Sequence, residues 1–402
     1  MNKKIDLVIF PFHDYKKWIK EGFRTRDAHL FQHFSQIEDV NKILVVNRPV
    51  SLLELVLKRT NWYINDGVVV KKGKQYRLTK VGDNAYCLDI LLFDTLKIVR
   101  ERKLWWFSCF NYPFVIKVIN QAIDFLQMKE PFLFVQNPMV IGAVPKIKYS
   151  CFAFDAIDNW MVHPQMKQIS ERVKENYNFV DYHANVITTV SKELLNIFPY
   201  NNNRHWISNG VDINYFKRAI GTYHKSVMVI GYVGKIQERV DFGLVEKCLM
   251  HFPNYNFVFL GPVYAQGGII KRLKKQYKNI KFLGDVHYNE LPDKMKAIDI
   301  TIIPHVVDKF TMSMNPLKLY EYLASGKPVV TTRVAGVDIS SDYVFTANSY
   351  EDFISSIEIV SSMIMQDKIN PTSVVSSLCS ELTWDNKSME IVKCLKESKS
   401  FL

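Results

Sequence analysis

The sequence predicts an α/β protein of two domains, each built around a parallel sheet. Apolar runs of strand length alternate with helical patterns along the chain, which is typical of parallel α/β sheets. The length of 402 residues exceeds what one hydrophobic core usually supports. Several predicted strands end in glycine or proline. This places loops at the carboxyl ends of the strands, where open parallel sheets bind ligands.

The first predicted domain covers residues 1–215. It begins with a strand at 5–10, followed by an amphipathic helix at 25–34. Further strands are predicted at 42–46, 90–93, 104–107, 132–136, 149–154, 186–190 and 205–208. Residues 209–212, Asn-Gly-Val-Asp, are typical of a turn, and we place the domain boundary in the polar stretch that follows.

The second predicted domain covers residues 222–383. Its strands are predicted at 227–233, 256–260, 281–283, 299–303 and 328–332, with a helix at 241–252. A last helix at about 384–402 is expected to pack back on the first domain. Neither domain contains GxGxxG or GxxxxGK[ST], so the usual marks of dinucleotide redox and P-loop chemistry are missing.

The composition indicates a soluble globular protein with an anionic partner. Hydrophobic residues make up 48% of the chain and charged residues 23%, and the net charge is +12. No apolar run reaches the roughly 18 residues that a membrane-spanning helix needs. The six cysteines lack metal-ligand spacing, which predicts reduced thiols in a cytoplasmic protein and no structural zinc.

Basic residues are concentrated in three runs, at 71–80, 97–103 and 271–281. The second run leads directly into Leu104-Trp105-Trp106-Phe107, and basic residues beside aromatic rings are typical of a segment that binds an anionic membrane surface. A basic loop that leads into a buried aromatic element is the alternative. The third run has helical spacing and is typical of a solvated helix face. Nucleic acid is another class of anionic partner, but we find neither stacking platforms nor a groove-reading helix and therefore expect no nucleic acid.

Residues 313–330 contain the most specific local pattern. Asn315 is a favoured N-cap, Pro316 suits the first position of a helix, and Gly326 stands where a left-handed C-terminal cap belongs. The free N–H groups and partial positive charge of a helix N-terminus suit a phosphate.

Two charged residues follow this predicted helix start. Lys318 lies in the first turn and adds a positive charge, and Glu321, one turn later, can accept hydrogen bonds from a ribose. This order predicts a site for a nucleoside diphosphate. The alternative is that both residues lie on a solvated helix face while the leucines pack inward.

The second half of the chain resembles the donor half of bacterial GT-B glycosyltransferases. The resemblance rests on Gly231-Tyr232-Val233-Gly234, on Phe259-Leu260-Gly261-Pro262 and above all on the run 315–330. The most similar groups are family-4-like polysaccharide and teichuronic-acid glycosyltransferases, with the xanthan-type glucuronosyltransferase as a relative. The first half resembles them more loosely, through 24–30, 154–158, 189–193 and 209–212.

This resemblance implies two Rossmann-like domains whose parallel sheets face each other across a cleft. It implies that the second domain binds a nucleotide sugar, with a UDP-sugar favoured over a GDP-sugar, and that the first binds a lipid-linked or saccharide acceptor. The implied activity is sugar transfer in the synthesis of a bacterial surface polysaccharide such as a capsule. The implied location is the inner face of the plasma membrane, to which the protein binds peripherally, and no tightly bound cofactor is expected.

The resemblance also implies roles for single residues. Family-4 enzymes carry two glutamates at a fixed spacing. Glu321 matches the second, which binds ribose, but Ser313 stands at the first. Lys318 matches a phosphate-binding lysine of the glucuronosyltransferase relative, and Arg239 falls near the position of a basic residue that binds the diphosphate. The serine motivates an alternative, a catalytically inactive glycosyltransferase-like partner. The expected donor-binding residues are Gly234, Arg239, Ser313, Asn315, Pro316, Leu317, Lys318 and Glu321.

The catalytic base is sought at the end of a strand in the first domain. No Asp-x-Asp pair occurs in the sequence, so no metal site is expected and basic groups must stabilise the leaving diphosphate. Asp155 and Asp158 follow a buried apolar run, where partial burial can raise the pKa of a carboxyl group as a general base requires. Of the two we favour Asp158. Its alternative role is that of a helix N-cap.

Overall fold

The computed structural model describes residues 4–59, 61–337 and 339–399. It divides into two units, of which the first comprises the residues up to Ile207 and those from Ser388 onward, and the second comprises Ser208–Lys387. The second unit begins at Ser208, ahead of the predicted boundary. Two contacts of the residues that follow Ile207 explain this earlier division. The backbone N–H of Asn209 donates to Asn315 Oδ1 at 2.9 Å, and Phe216 is buried in the second core.

The first unit is built on a mixed sheet. Its strands are β1 (Ile5–Phe10), β2 (Val40–Val46), β3 (Val50–Ser51), β4 (Val68–Lys72), β5 (Tyr76–Lys80), β6 (Ala85–Leu92), β7 (Phe132–Val135), β8 (Cys151–Ala156), β9 (Val186–Thr189) and β10 (Arg204–Trp206). The sheet order is β10-β9-β8-β7-β1-β2-β6-β5-β4, and β3 pairs with β6. All pairs from β10 to β6 in this order are parallel, whereas the pairs β6–β5 and β5–β4 are antiparallel.

Helices connect these strands, as the alternating pattern predicts. They are α1 (Tyr15–Glu21), α2 (Arg26–Phe34), α3 (Leu52–Lys58), α4 (Leu96–Glu101), α5 (Trp105–Ser108), α6 (Pro113–Phe125), α7 (Ser170–His183) and α8 (Lys192–Leu195). Short 3-10 segments lie at Arg102–Leu104, Cys109–Asn111, Pro138–Lys146 and Pro164–Ile169.

The predicted strand at 104–107 is wrong, because this segment is helical. Trp105, Phe107 and Cys109 are buried at alternate positions, a pattern that a strand would also produce. The backbone N–H groups are nevertheless satisfied within the segment, since Cys109 N donates to Trp105 O. The hairpin of β4 and β5 was not predicted, because β4 has no fully buried residue and ends in lysines.

The second unit contains a six-stranded sheet in which every pair is parallel. Its strands are β11 (Val229–Val233), β12 (Asn256–Leu260), β13 (Ile280–Gly284), β14 (Ile300–Ile303), β15 (Val329–Thr332) and β16 (Val344–Ala347), in the order β13-β12-β11-β14-β15-β16. All but β16 were predicted. The two α/β units with parallel sheets confirm the predicted fold class.

The helices of the second unit are α9 (Ile213–Phe216), α10 (Phe242–His251), α11 (Gly267–Gln276), α12 (Leu291–Met295), α13 (Leu317–Ala324), α14 (Tyr350–Met365) and α15 (Pro371–Ser376). Short 3-10 segments lie at Lys217–Ala219, Tyr288–Glu290, Thr311–Ser313 and Ser380–Leu382. The last helix, α16 (Trp384–Lys399), begins in the second unit and continues into the first. There Lys396 Nζ donates to Asp39 Oδ2 at 2.8 Å, and Ser398 Oγ lies 3.1 Å from Cys151 Sγ.

Helix α13 begins one residue later than predicted. Pro316 is the N-cap residue and Leu317 the first helical residue. The C-terminal prediction is confirmed, since Gly326 has φ +70° and its N–H donates to Leu323 O at 2.9 Å. A Cβ atom at this position would lie 2.9 Å from the backbone oxygen of Pro371, so both the space and the backbone conformation require glycine.

Across residues 4–59, 61–337 and 339–399, no helix combines the length and the apolar character that crossing a membrane requires.

Candidate functional site

The end of β11 and helix α13 are joined directly in the second unit. The backbone N–H of Val233 donates to Tyr322 Oη at 2.7 Å, and this hydroxyl donates to Val233 O at 3.1 Å. Burial raises the pKa of Tyr322 well above its ordinary value, so the phenol keeps its proton. The helix therefore stands in a defined position beside the carboxyl end of the central strand.

Two glycines allow the side chain of Lys318 to approach the loop after β11. Gly234 has φ +135°, and a Cβ atom there would lie 2.9 Å from Lys318 Nζ. Gly261, with φ +143°, approaches the same loop so closely that its Cβ would lie 2.0 Å from Gly234 O. Both positions therefore require glycine, and the absent Cβ of Gly234 makes room for the ammonium group.

Lys318 is buried although it carries a charged side chain. It is 9% exposed, its Nζ lies 3.9 Å from the centre of the Tyr232 ring, and His305 Nε2 is 3.5 Å away. Burial, and then the positive charge of Arg239, hold the pKa of Lys318 well below its ordinary value, although Glu321 acts in the opposite direction. The alternative of a solvated helix face is thus wrong for Lys318.

His305 follows β14 and Pro304, and its side chain is fully enclosed. It is 1% exposed, and its Nδ1 has no hydrogen-bond partner among the residues that the structure describes. Burial, followed by the charges of Lys318 and Arg239, keeps the pKa of His305 well below its ordinary value, so the imidazole is neutral. The sequence reasoning missed this residue, whose only local signal is its place at a strand end.

Arg239 lies in the loop before α10 and is half-buried. Its loop is tied to the segment of His305, since Val306 N donates to Arg239 O at 2.8 Å and Val240 forms a β-bridge with His305. Arg239 Nη1 lies 3.9 Å from Met314 Sδ, whereas the buried Nε has no partner within the described ranges. A guanidinium nitrogen without a hydrogen-bond partner can donate to a bound anion.

We call Lys318, His305 and Arg239 the Lys318 cluster. None of the three forms an ion pair with a carboxylate of the described chain. Basic side chains that are buried or half-buried together without a carboxylate partner are stabilised when an anion binds them. The geometry therefore fits a phosphate or a diphosphate.

Glu321 stands one turn after Lys318 on α13 and is half-buried. The hydroxyl of Tyr288 lies 3.5 Å from Glu321 Oε1, and the Tyr288 ring stacks on Tyr215 with centres 5.1 Å apart. Burial, and next the charge of Glu321, raise the pKa of Tyr288 well above its ordinary value. The carboxylate thus lies beside a neutral phenol, in a position from which it can accept further hydrogen bonds.

Asn315 does not cap α13, which corrects the prediction. It is buried and supports the loop, because its Oδ1 accepts from Asn209 N at 2.9 Å and its Nδ2 donates to Tyr320 Oη at 2.8 Å. Ser313 is also turned into the chain, since its Oγ donates to Phe310 O at 2.7 Å. The side chains of both residues thus fix the segment that precedes α13. The backbone at Pro316 and Leu317 remains the predicted contact with the ligand.

Asp155 occupies a different place from the predicted one at the mouth of β8. It lies inside the strand, fully buried, and its two oxygens accept from Arg26 Nε and Nη2 at 2.9 Å each. Gln136 Nε2 and Thr188 Oγ1 donate to it as well, at 2.9 Å and 2.7 Å. Four donors and complete burial assign Asp155 to the interior ion pair with Arg26, and this disfavours it as a catalytic base.

Asp158 lies in the loop that follows β8 and is half-buried. No helix starts at this residue, so the alternative of an N-cap is wrong. Its backbone oxygen accepts from Tyr177 Oη at 3.0 Å, and two residues later the Trp160 ring stacks on Phe12 at 3.8 Å. Because β1 and β8 both run parallel to β7, the loops after them lie at the same edge of the sheet, where parallel sheets bind ligands.

Groups of three or more His, Cys, Asp or Glu side chains that could hold a metal ion are missing from the part of the chain that the structure describes.

Comparison with known proteins agrees with this architecture. Residues 227–361 match the family model described as "Glycosyl transferases group 1". A curated relative, the teichuronic acid biosynthesis glycosyltransferase TuaH of Bacillus subtilis (strain 168), is 28% identical over 148 residues, which are 35% of this chain and 37% of TuaH. The match therefore spans only about a third of the length of that relative.

Solved structures match over nearly the whole chain. Sucrose-phosphate synthase from Thermosynechococcus elongatus superimposes with a TM-score of 0.71 at 10% identity, covering 99% of this chain and 100% of the synthase. Anabaena Alr3699/HepE in complex with UDP and glucose has a TM-score of 0.63 at 13% identity, covering 97% and 99%. The protein thus has the GT-B fold, and its residues 227–361 match the glycosyl transferases group 1 family.

Proposed function

We propose that this protein transfers a sugar from a nucleoside diphosphate sugar to a saccharide or lipid-linked acceptor in the synthesis of a bacterial surface polysaccharide. The observation that carries the proposal is the Lys318 cluster, whose buried Arg239 Nε and His305 Nδ1 have no partner in the described ranges. The group 1 family of residues 227–361 and the similarity to TuaH support it.

The Lys318 cluster stabilises the leaving diphosphate in this proposal. The bond between the anomeric carbon and the diphosphate oxygen breaks, and its electron pair stays on the nucleoside diphosphate. Lys318 and Arg239 face this charge in a site with little water, where fixed positive groups act most strongly. The backbone at Pro316 and Leu317, at the start of α13, lies next to it. Gly234 leaves the space that Lys318 requires.

Glu321 binds the ribose in this proposal, and Asp158 is the catalytic base. Glu321 follows Lys318 by one helical turn, a spacing that suits a diphosphate and the sugar attached to it. Asp158 accepts the proton of the acceptor hydroxyl while the acceptor oxygen bonds to the anomeric carbon. Its position at the ligand-binding edge of the first sheet supports this role.

Titration calorimetry with UDP and GDP tests the donor site. We expect UDP to bind to the folded protein more tightly than GDP. The similarity of the fold to structures solved with UDP supports this preference. Hydrolysis of a UDP-sugar without acceptor, measured alongside, would argue against an inactive partner protein. If the folded protein bound neither diphosphate, the proposed function would be wrong.

We further propose that the protein binds an anionic membrane surface at the cytoplasmic side through α4 and the segment after it. The aromatic residues Trp105 and Phe107 are buried, but Leu96, Val99 and Leu104 are 84%, 62% and 47% exposed. The basic residues Lys97, Arg100, Arg102 and Lys103 are interleaved with these aliphatic side chains. An exposed apolar surface with basic neighbours suits a bilayer with acidic head groups.

Sedimentation with lipid vesicles tests this surface. The protein is expected to bind vesicles of phosphatidylglycerol and phosphatidylcholine, and to bind pure phosphatidylcholine much more weakly. Changing Leu96 and Val99 to serine should weaken binding about tenfold or more, because two apolar side chains no longer enter the interface. Ile359→Ser, at a site that is 52% exposed in the second unit, is the control. Equal binding by the double variant and the control would contradict the proposal.

A further inference from the structure

The Lys318 cluster contains more basic groups than it can keep charged in the free protein. Lys318 Nζ and His305 Nε2 are 3.5 Å apart, and both side chains are at least nine-tenths buried. Two positive charges at this separation repel each other strongly when little water screens them, and the Arg239 guanidinium adds a further positive charge. The pair of Lys318 and His305 therefore shares fewer protons than two exposed groups would hold.

The surroundings of this pair offer little compensation. The Tyr232 ring faces Lys318 Nζ at 3.9 Å, and burial raises the pKa of this tyrosine to about 12, so it supplies no negative charge. Glu321 is the acidic group whose charge favours the protonated form of Lys318, but burial and Arg239 outweigh it. Among the described residues, the charged groups that act on the pair are Arg239 from the loop after β11 and Glu321 from α13, and the Tyr232 hydroxyl lies 3.5 Å from His305 Nε2.

A diphosphate reverses this balance, because it brings negative charge into direct contact with the same groups. An opposite charge within a few ångströms favours the protonated form of an amine or imidazole. We propose that a nucleoside diphosphate binds to the Lys318 cluster with net uptake of about one proton by the Lys318–His305 pair. This inference rests on the proposed function, and it adds His305 to the donor site as a positioning residue that holds Lys318.

The direction of the pH dependence follows from this uptake. Because the complex holds more protons than the free protein and free UDP together, affinity falls as pH rises. Uptake of one proton corresponds to a dissociation constant that increases about tenfold per pH unit. A measurement at about pH 8 avoids protonation of UDP itself, since a terminal phosphate group has a pKa of about 6.

Calorimetry in several buffers measures the uptake directly. UDP is titrated into the full chain at the same pH in HEPES, Tricine and Tris, which differ in their enthalpies of ionisation. The slope of the observed binding enthalpy against the ionisation enthalpy gives the number of protons that the complex takes up. We expect a slope of about one for the unmodified protein.

The double variant Lys318→Arg with His305→Gln removes both titrating groups but keeps a permanent positive charge. It should bind UDP with a slope near zero, whereas Lys281→Arg, at an exposed site on β13, should keep the slope of the unmodified protein. If the double variant does not bind UDP, the pH dependence of the dissociation constant of the unmodified protein, measured between about pH 7 and 9, tests the inference instead. A dissociation constant that does not change with pH would overturn the inference.

The outcomes separate this inference from the proposed function. UDP binding with a slope of zero would overturn the proton uptake and leave the donor site intact. A slope unchanged in the double variant would assign the proton to another group and would also overturn it. Absence of both UDP and GDP binding by the folded, unmodified protein would contradict both proposals.

Discussion

Replacing Lys318 by alanine is expected to abolish sugar transfer while the protein stays folded. The ammonium group is the charged group that α13 brings to the loop of Gly234, and its loss removes electrostatic stabilisation of the leaving diphosphate. Loss of one such group typically lowers turnover by about a hundred- to a thousandfold. The free energy of unfolding should change little, because burying the amine of Lys318 already costs free energy in the unmodified protein.

Two measurements check this expectation, namely the transfer rate from a UDP-sugar and the midpoint of thermal unfolding. Lys281→Ala is the matched control, because this lysine is exposed on β13 of the same unit. Turnover equal to that of the unmodified protein in the Lys318 variant would remove this residue from the proposed mechanism. A large fall in the unfolding midpoint would show instead that its role is structural.

The two aspartates of the first unit are expected to respond in opposite ways to the same substitution. Asp155→Asn removes the negative charge that Arg26 faces in the interior, and a buried pair broken in this way costs about 3–5 kcal/mol of unfolding free energy. Asp158→Asn should leave the unfolding free energy almost unchanged, because this side chain lies half-buried in a loop. It should lower transfer about a hundred- to ten-thousandfold, which is the usual contribution of a general base.

Denaturant unfolding and transfer assays on both variants distinguish these effects, and each variant is the control for the other. Binding of UDP by the Asp158 variant should match that of the unmodified protein, because Asp158 belongs to the first unit and the Lys318 cluster to the second. Normal transfer by a folded Asp158→Asn protein would exclude this carboxylate as the base. A fully stable Asp155→Asn protein would contradict the importance of the interior ion pair.

The sequence was most informative where local chemistry alone determines the structure. Gly326 is predicted correctly because a left-handed C-terminal cap depends on the residue itself and on few neighbours. Lys318 and Glu321 are placed on one helix by their spacing, so their relation could be predicted without knowledge of the rest of the fold. The parallel strands were predicted for a similar reason, since buried strands consist of short apolar runs bounded by glycine and proline.

Residues whose role depends on distant partners could not be predicted in this way. His305 is one of ten histidines and belongs to no local motif. Its enclosure by Lys318 and Tyr232 appears only when β11 and β14 pair. The positions of the two aspartates depended on where β8 ends. The predicted strand ended at 154, but the pairing with β9 continues to Ala156, which draws Asp155 inside and leaves Asp158 outside.

Asn315 shows a further limit of local reasoning. Asparagine before proline at the start of a helical pattern predicts a cap, but the side chain instead bonds Asn209 N and Tyr320 Oη. The first of these partners lies about a hundred residues earlier in the chain, so the competing hydrogen bond has no local signature. The same contact explains why the boundary between the units falls earlier than predicted.

The path of α16 makes the first unit discontinuous along the chain. A polypeptide that stops at Ile207 would lack the helix that carries the buried side chains of Ile391 and Leu395, and it would expose the surface that they cover. Such a fragment should aggregate or bind hydrophobic dyes, whereas a synthetic peptide of residues 384–399 should restore its solubility when added in trans. Dissecting the protein into autonomous halves therefore requires joining two distant stretches or rearranging the order of the chain, and one cut will not suffice.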